Sequence, residues 1–364
     1  LDDEARMANN EAYAAALGKI WEANPNDSDI GTLYAEALMV RRPWKLYLPD
    51  RTPHKDTPEI LATIARVMEI DPENPGALHL RIHAIEPSGT PELGLPAADA
   101  LGALVLASGH LLHMPAHIYV QTGHWDKAIS QSEKAMASDK DYRVLSANHL
   151  AQHPTQHVYM THNAHMLAYA AMMCGREKEA MAAARNMWAN IDEDTLRKIG
   201  PAVDRWWCSV YDVQKRFGRW DAILAEPAPP TYMPVTTATW RAARAVAYAA
   251  KKEFVHAECE YEAFRHAQSS VADDYPWGRD SALKVLKVSE RFILGEIALQ
   301  KDNWGTATAF LEEAAEFEDA LSYGEPPQWL QPVRHTLGAV YLKREMFEAA
   351  ERVYREDLAK WRDN

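Results

Sequence analysis

Eleven of the 15 histidines in this 364-residue chain fall between His79 and His165. His79 and His113 are 34 residues apart, and so are His83 and His117. The pairs His79/His83 and His113/His117 each have i, i+4 spacing, which on a helix sets two side chains on one face about 5–6 Å apart. Neutral imidazole is a ligand for zinc, iron and copper. Two such pairs on helices packed about 8–10 Å apart can converge on one cation. His83 and Glu86 add an i, i+3 histidine–carboxylate pair, a spacing with which helix bundles assemble metal centres. The expectation is a bound divalent transition metal (zinc, iron or copper) with His79, His83, His113 and His117 as core ligands. Glu86, His110, His162 and His165 are expected as further ligands or as groups that hold the ligands. These donors exceed what one four-coordinate ion uses, so two ions fit the count as well as one. The HExxH motif of zinc proteases is not present here, because Leu80 stands where it needs a glutamate.

The elements that must carry these residues are helices. Strand signals are scarce, and alanine-rich amphipathic stretches alternate with Gly, Asn and Asp-Pro turns. A 34-residue period fits, with small residues at positions 8, 20 and 27, a tyrosine-like residue at 11, and glycine or a substitute at 15. From Gly109 these positions hold Ala116, Ala128, Ala135, Tyr119 and Gly123. Later units place Ala168, Gly175 and Ala180, then Ala245, Tyr248 and Ala257, then Gly295, Ala307 and Ala314, then Gly338, Tyr341 and Ala350. This is the tetratricopeptide (TPR) signature. It predicts an all-α, right-handed superhelical solenoid of antiparallel helix pairs whose small residues let the helices approach closely. The chain reads as a single solenoid over 1–364, with a histidine-rich groove region at 75–175 and C-terminal repeats at 200–364. The unit from Trp206 to Gly218 fits less well and has a short second helix. Positions 2, 5, 9 and 12 of each first helix face the groove. They hold His79, His83 and Glu86, then His110, His113 and His117, then His162, His165 and Tyr169.

Other residues are read with their plainer alternatives. Arg205 is suited to bidentate binding of a substrate carboxylate, or to an ion pair with Asp204 or Asp212. Tyr169 is a candidate for contacting substrate. Pro115, inside a helix between His113 and His117, either kinks it or marks a late start. Pro-rich stretches at 41–58, 226–234 and 324–332, and the segment 139–157 with His149, His153 and His157, are read as insertions over the groove. The formal net charge of −13 lacks the basic footprint that nucleic acid requires and does not suit an anionic membrane surface. Cys174, Cys208 and Cys259 form no CxxC pair, so neither a disulfide framework nor a cysteine zinc site is indicated. No apolar run approaches the roughly 18 residues of a membrane helix, and no signal-peptide pattern is present. A soluble chain is expected, with its compartment open.

Three blocks carry a family resemblance: His79-Leu-Arg-Ile-His-Ala-Ile-Glu86, Gly109-His-Leu-Leu-His-Met-Pro-Ala-His-Ile-Tyr119, and His162-Asn-Ala-His165. Over roughly residues 10–190 the chain resembles a group of bacterial TPR-domain proteins of unassigned function. Members of that group carry further repeats ahead of the point where this chain starts. The resemblance implies the fold and the histidine-bearing helices but no reaction.

Two functions follow. One is a metalloprotein, and by extension a metal-dependent enzyme, hydrolytic or oxidative, acting on a small molecule with Glu86 as candidate base. The other is a metal-free TPR scaffold whose groove takes a peptide or protein partner. A metal site predicts imidazoles converging within coordination distance, with their second nitrogens held by carboxylates or carbonyls. A scaffold predicts splayed side chains.

Overall fold

The computed structural model describes residues 3–48, 50–104, 107–189 and 191–361. The chain divides into two compact units, Leu1–Ser138 and Asp139–Asn364. The histidine-bearing stretch 75–175 is shared between them, and each unit is described by itself.

The first unit holds α1 (Asp3–Ala23), α2 (Ser28–Val40), α3 (Thr57–Ile70), α4 (Pro75–Ile85), α5 (Leu95–Ala103) and α6 (Gly109–Gln121). Helix α7 (Trp125–Leu145) begins in it and ends in the second unit. From α1 to α6, helices consecutive in the chain pack on each other, and α4 also packs on α2 and α6. The start of α4 is sharply set. Asn74 Oδ1 accepts the N–H of Ala77 at 2.9 Å, and Pro75 takes the first helical position, where its missing N–H costs nothing. Helix α6 is likewise capped by Ser108, whose Oγ lies 3.4 Å from the Leu111 N–H. It runs through Pro115 without a break, so the late-start reading of that proline does not hold. Ala35, Leu38, Ile60, Ile64, Leu80 and Ala84 form the core beneath α4.

The second unit continues with α8 (Ala147–Gln152), α9 (Gln156–Met173), α10 (Glu177–Asn186), α11 (Glu193–Trp207), α12 (Ser209–Arg216) and α13 (Trp220–Ala225). Then follow α14 (Pro234–Ala250), α15 (Phe254–Ser269), α16 (Ala282–Gln300), α17 (Trp304–Asp319), α18 (Val333–Lys343) and α19 (Phe347–Lys360). Between α15 and α16 sits a small hairpin, β1 (Pro276–Trp277) paired with β2 (Asp280–Ser281). Among the described residues no helix is long and apolar enough to cross a membrane.

The repeat positions explain the packing. Ala128, Ala180, Ala257, Ala307 and Ala350, all at position 20, are buried to 1% exposure or less. At position 8 of the last repeat a Cβ on Gly338 would come within 2.4 Å of the Tyr354 ring, so only glycine lets α18 and α19 lie so close. At position 15 the backbone turns left-handed in six units: at Gly123, Gly175 and Gly218, but also at Lys252, Asp302 and Glu345. The architecture is therefore all-α, a TPR-like succession of helix pairs.

Candidate metal centre

The first unit brings together His79, His83 and Glu86 from the end of α4 with His110, His113 and His117 from α6. Asn74 and Ser108 set where each helix begins, and the i, i+3, i+4 and i+7 spacings put each set on one face. Glu86, at the C-terminal cap of α4, is fully buried. Its Oε1 accepts from His83 Nδ1 at 2.6 Å and its Oε2 from His117 Nδ1 at 2.6 Å. Burial pushes this carboxyl up, but the imidazoles of His117 and His83 outweigh burial and hold it well below the usual carboxylate range.

These two bonds fix tautomers. With Nδ1–H committed to Glu86, neutral His83 and His117 present bare Nε2 atoms, which is the form that ligates metal. His117 Nε2 lies 3.1 Å from His113 Nε2, and His79 Nε2 lies 3.2 Å from His110 Nε2. Two nitrogens bound at 2.0–2.1 Å to one tetrahedral ion stand about 3.3 Å apart, so both pairs have ligand-pair spacing. Ligand atoms of His79, His83 and His110 all lie within 4.8 Å of one another. The rings follow the same grouping, with centroids 4.7 Å apart for His79–His83 and 4.5 Å for His113–His117. The His79 imidazole is pushed down to about 2 by burial first and then by His83, His110 and His117. It is neutral at pH 7.

The core expected from sequence paired His79/His83 with His113/His117. The structure sets His110 beside His79 and His83, and His113 beside His117, while the rings of His83 and His117 stand 5.6 Å apart across Glu86. Glu86 faces imidazole on both oxygens, so taking up a substrate proton would break one of those bonds. One residue of the site had no sequence signal. Trp44, in the 41–58 segment, has a left-handed backbone (φ 63°) and sets its ring edge-on to His83 at 5.2 Å. Tyr47 fastens the same segment to α4 by donating to the Ala84 carbonyl at 3.0 Å. Tyr119 donates to Asp99 at 2.6 Å and is a packing residue.

The remaining sequence candidates lie in the second unit. His162 and His165, on α9, both lie against the Trp206 ring, at 6.0 and 5.7 Å. Burial first, and then Arg205, keep the buried His165 imidazole well below its ordinary value. Tyr169 is buried on the same helix. Arg205 pairs with neither Asp204 nor Asp212. Asp204 is taken up by Val235, Thr236 and Tyr275, and Asp212 by Lys215 at 2.9 Å. His149 and His153 are exposed, their centroids 4.4 Å apart, with His149 bonded to Tyr142.

No protein-family model matches the chain, and no curated protein matches it. Solved structures do align. A human IFIT1 dimer with m7Gppp-AAAA matches over 98% of this chain and 78% of its own, at 14% identity and TM-score 0.40. A monomeric IFIT1 mutant with the same ligand matches over 97% and 77%, at 14% identity and TM-score 0.40. A human IFIT1 dimer with PPP-AAAA matches over 85% and 69%, at 17% identity and TM-score 0.36. Likenesses this distant carry no argument, and the architecture is read from the chain itself.

Proposed function

We propose that the first unit binds a divalent transition metal on the facing histidines of α4 and α6, and that the chain is a metal-dependent enzyme acting on a small molecule. His79, His83 and His110 form one donor set. His113 and His117 form a second pair that either completes the first site or holds another ion. The observation that carries the reading is Glu86, a buried carboxylate bonded at 2.6 Å to two imidazoles on two helices. A groove built for a peptide has no need of such an anchor, whereas ligating histidines almost always donate their second N–H to a carboxylate, a backbone carbonyl or a water. Glu86 is read here as the residue that orients the ligands, in place of the base expected from sequence. Three imidazoles leave a coordination position open, as catalytic sites do. Zinc there would activate water, and iron or copper would admit oxidative chemistry.

Elemental analysis of the purified full chain tests this, beside His113→Ala/His117→Ala and His79→Ala/His110→Ala double variants checked for helical circular dichroism. Stoichiometric metal in the parent, reduced in both folded variants, is the expected result and names the ion to assay. A parent without metal after reconstitution with zinc, ferrous iron and copper at neutral pH would overturn the reading. The groove would then be that of a peptide-binding scaffold.

A further inference from the structure

A cleft in the second unit runs beside α18 and opens to solvent, with about 500 Å³ of room for water-sized molecules. Sites for small ligands span roughly 300–1,000 Å³. Three cations from three parts of the chain line it: Arg216 at the end of α12, Lys252 in the turn after α14, and Lys343 at the end of α18. Among the described residues none of the three is paired with a carboxylate. Lys343 lies 5.1 Å from the Trp304 ring, a contact that leaves its charge in place. The negative ends of these helices do not account for the three, because each end also carries a neighbouring cation: Lys215, Lys251 and Arg344.

The lining holds one carboxylate, Asp302, in the turn after α16. Its imidazole, His335, is bonded to Asp357 at 3.3 Å. With His335 neutral, three cations against one carboxylate leave the lining a formal +2, in a chain whose formal net charge is −13. A small anion is repelled by most of such a surface and drawn into a cleft of opposite sign. His335, Ala339 and Lys343 follow one another at i, i+4 and i+8 on one face of α18. The small alanine between the two longer side chains leaves space above the helix. Leu299 and Val340 add an apolar wall.

We propose that this cleft binds a small organic phosphate monoester, its phosphate among Arg216, Lys252 and Lys343 and its organic part against Leu299 and Val340. A phosphate monoester carries a charge of about −1.5 to −2 at pH 7 and offers three strong acceptor oxygens. That matches both the +2 of the lining and the three separate donors. A carboxylate offers one charge and two oxygens, which one arginine satisfies. The free space exceeds what a phosphate group alone would fill, so the organic part enters the cleft as well. Every residue invoked lies in the second unit, and the site stands independently of the metal reading.

Calorimetric titration of the full chain with phenyl phosphate tests the proposal, after chelator treatment so that no metal can take up the phosphate. Benzoate is the singly charged control, inorganic phosphate the control without an organic part, and the His113→Ala/His117→Ala variant the control for the histidine cluster. The expected result is saturable binding of phenyl phosphate, about tenfold tighter than that of benzoate or inorganic phosphate. Arg216→Gln weakens it about tenfold through loss of a charge-assisted bond, Lys343→Gln weakens it a few-fold, and the double histidine variant binds as the parent does. Two variants separate binding from folding. Asp302→Asn removes the opposing charge and tightens binding a few-fold, a gain that a damaged fold would not give. Lys252→Gly relieves a left-handed backbone (φ 62°), so Tm holds or rises while binding weakens. Four outcomes would overturn the proposal: no saturable binding of phenyl phosphate; parent-like binding by folded Arg216→Gln; benzoate or inorganic phosphate competing as well as phenyl phosphate; or a hexaglutamate peptide binding more tightly, which would assign the cleft to an acidic peptide. None of them bears on metal content, which is measured separately.

Discussion

Glu86 Oε2 stands 2.6 Å from His117 Nδ1, 31 residues further along the chain, with both side chains buried. The other oxygen of the same carboxyl is at the same distance from His83. A glutamine here keeps the shape but exchanges one accepting oxygen for an amide that only donates. One imidazole must then turn over or lose its bond. Glu86→Gln is therefore expected to weaken metal binding about 10–100-fold while the helical signal survives. Competition with a chromogenic chelator measures it, and parent-level affinity in this variant would show that Glu86 does not position the ligands.

The start of α14 depends on a residue from another helix. Met233, at its N-cap, offers no side-chain bond. Asp204 of α11 instead accepts the N–H groups of Val235 and Thr236 at 2.9 Å each, and the Tyr275 hydroxyl at 3.0 Å. Asp204→Ala strands these buried donors and is expected to cost ~3 kcal/mol. Asp204→Asn should cost less. Urea denaturation reads both, and a loss under about 1 kcal/mol would mean that water replaces the cap.

Glu318 sets a pH dependence. Burial pushes its carboxyl up to about 7, against the lowering effects of the Val333 N–H and Lys360. The unfolded chain releases this proton near 4.5, so between the two values the folded state holds the extra proton. Stability from this group is full below pH 4.5 and falls as pH rises toward 7, by ~3 kcal/mol in order of magnitude. Glu318→Gln should flatten that decline. Thermal melts from pH 4 to 8 test it, and parallel curves for parent and variant would contradict it.

Left-handed backbone at position 15 predicts opposite effects at two sites. A Cβ on Gly175 would touch nothing, yet its φ of +82° makes Gly175→Ala cost ~1 kcal/mol from conformation alone. Glu345, at φ 56°, already bears that strain, so Glu345→Gly should leave Tm unchanged or raise it. A clear drop in Tm for Glu345→Gly would show that its side chain matters.

What sequence revealed, and what it concealed, divides by range. The 34-residue period located position 20, and every alanine there is buried, because packing within a helix pair is local and repeats. It also placed His79, His83, His110, His113 and His117 on shared faces. It did not show which imidazoles come nearest, since His110 meeting His79 depends on how α6 is turned against α4. The Arg205–Gln328 contact joins side chains 123 residues apart, far beyond the reach of a 34-residue period. Trp44 was illegible for a related reason: its unusual backbone is imposed by the segment around it, not by its own type.

His79 and His110 are 31 positions apart, and the stretch between them includes all of α5. A cation shared by those two imidazoles would close that stretch into a ring. The unfolded chain would lose loop entropy to such a clip, and the segment inside it would gain the most. Chelation would then act as the opening of a staple. Amide exchange should quicken in α5, which carries no ligand, while Gly175 and the turns of the second unit exchange as before.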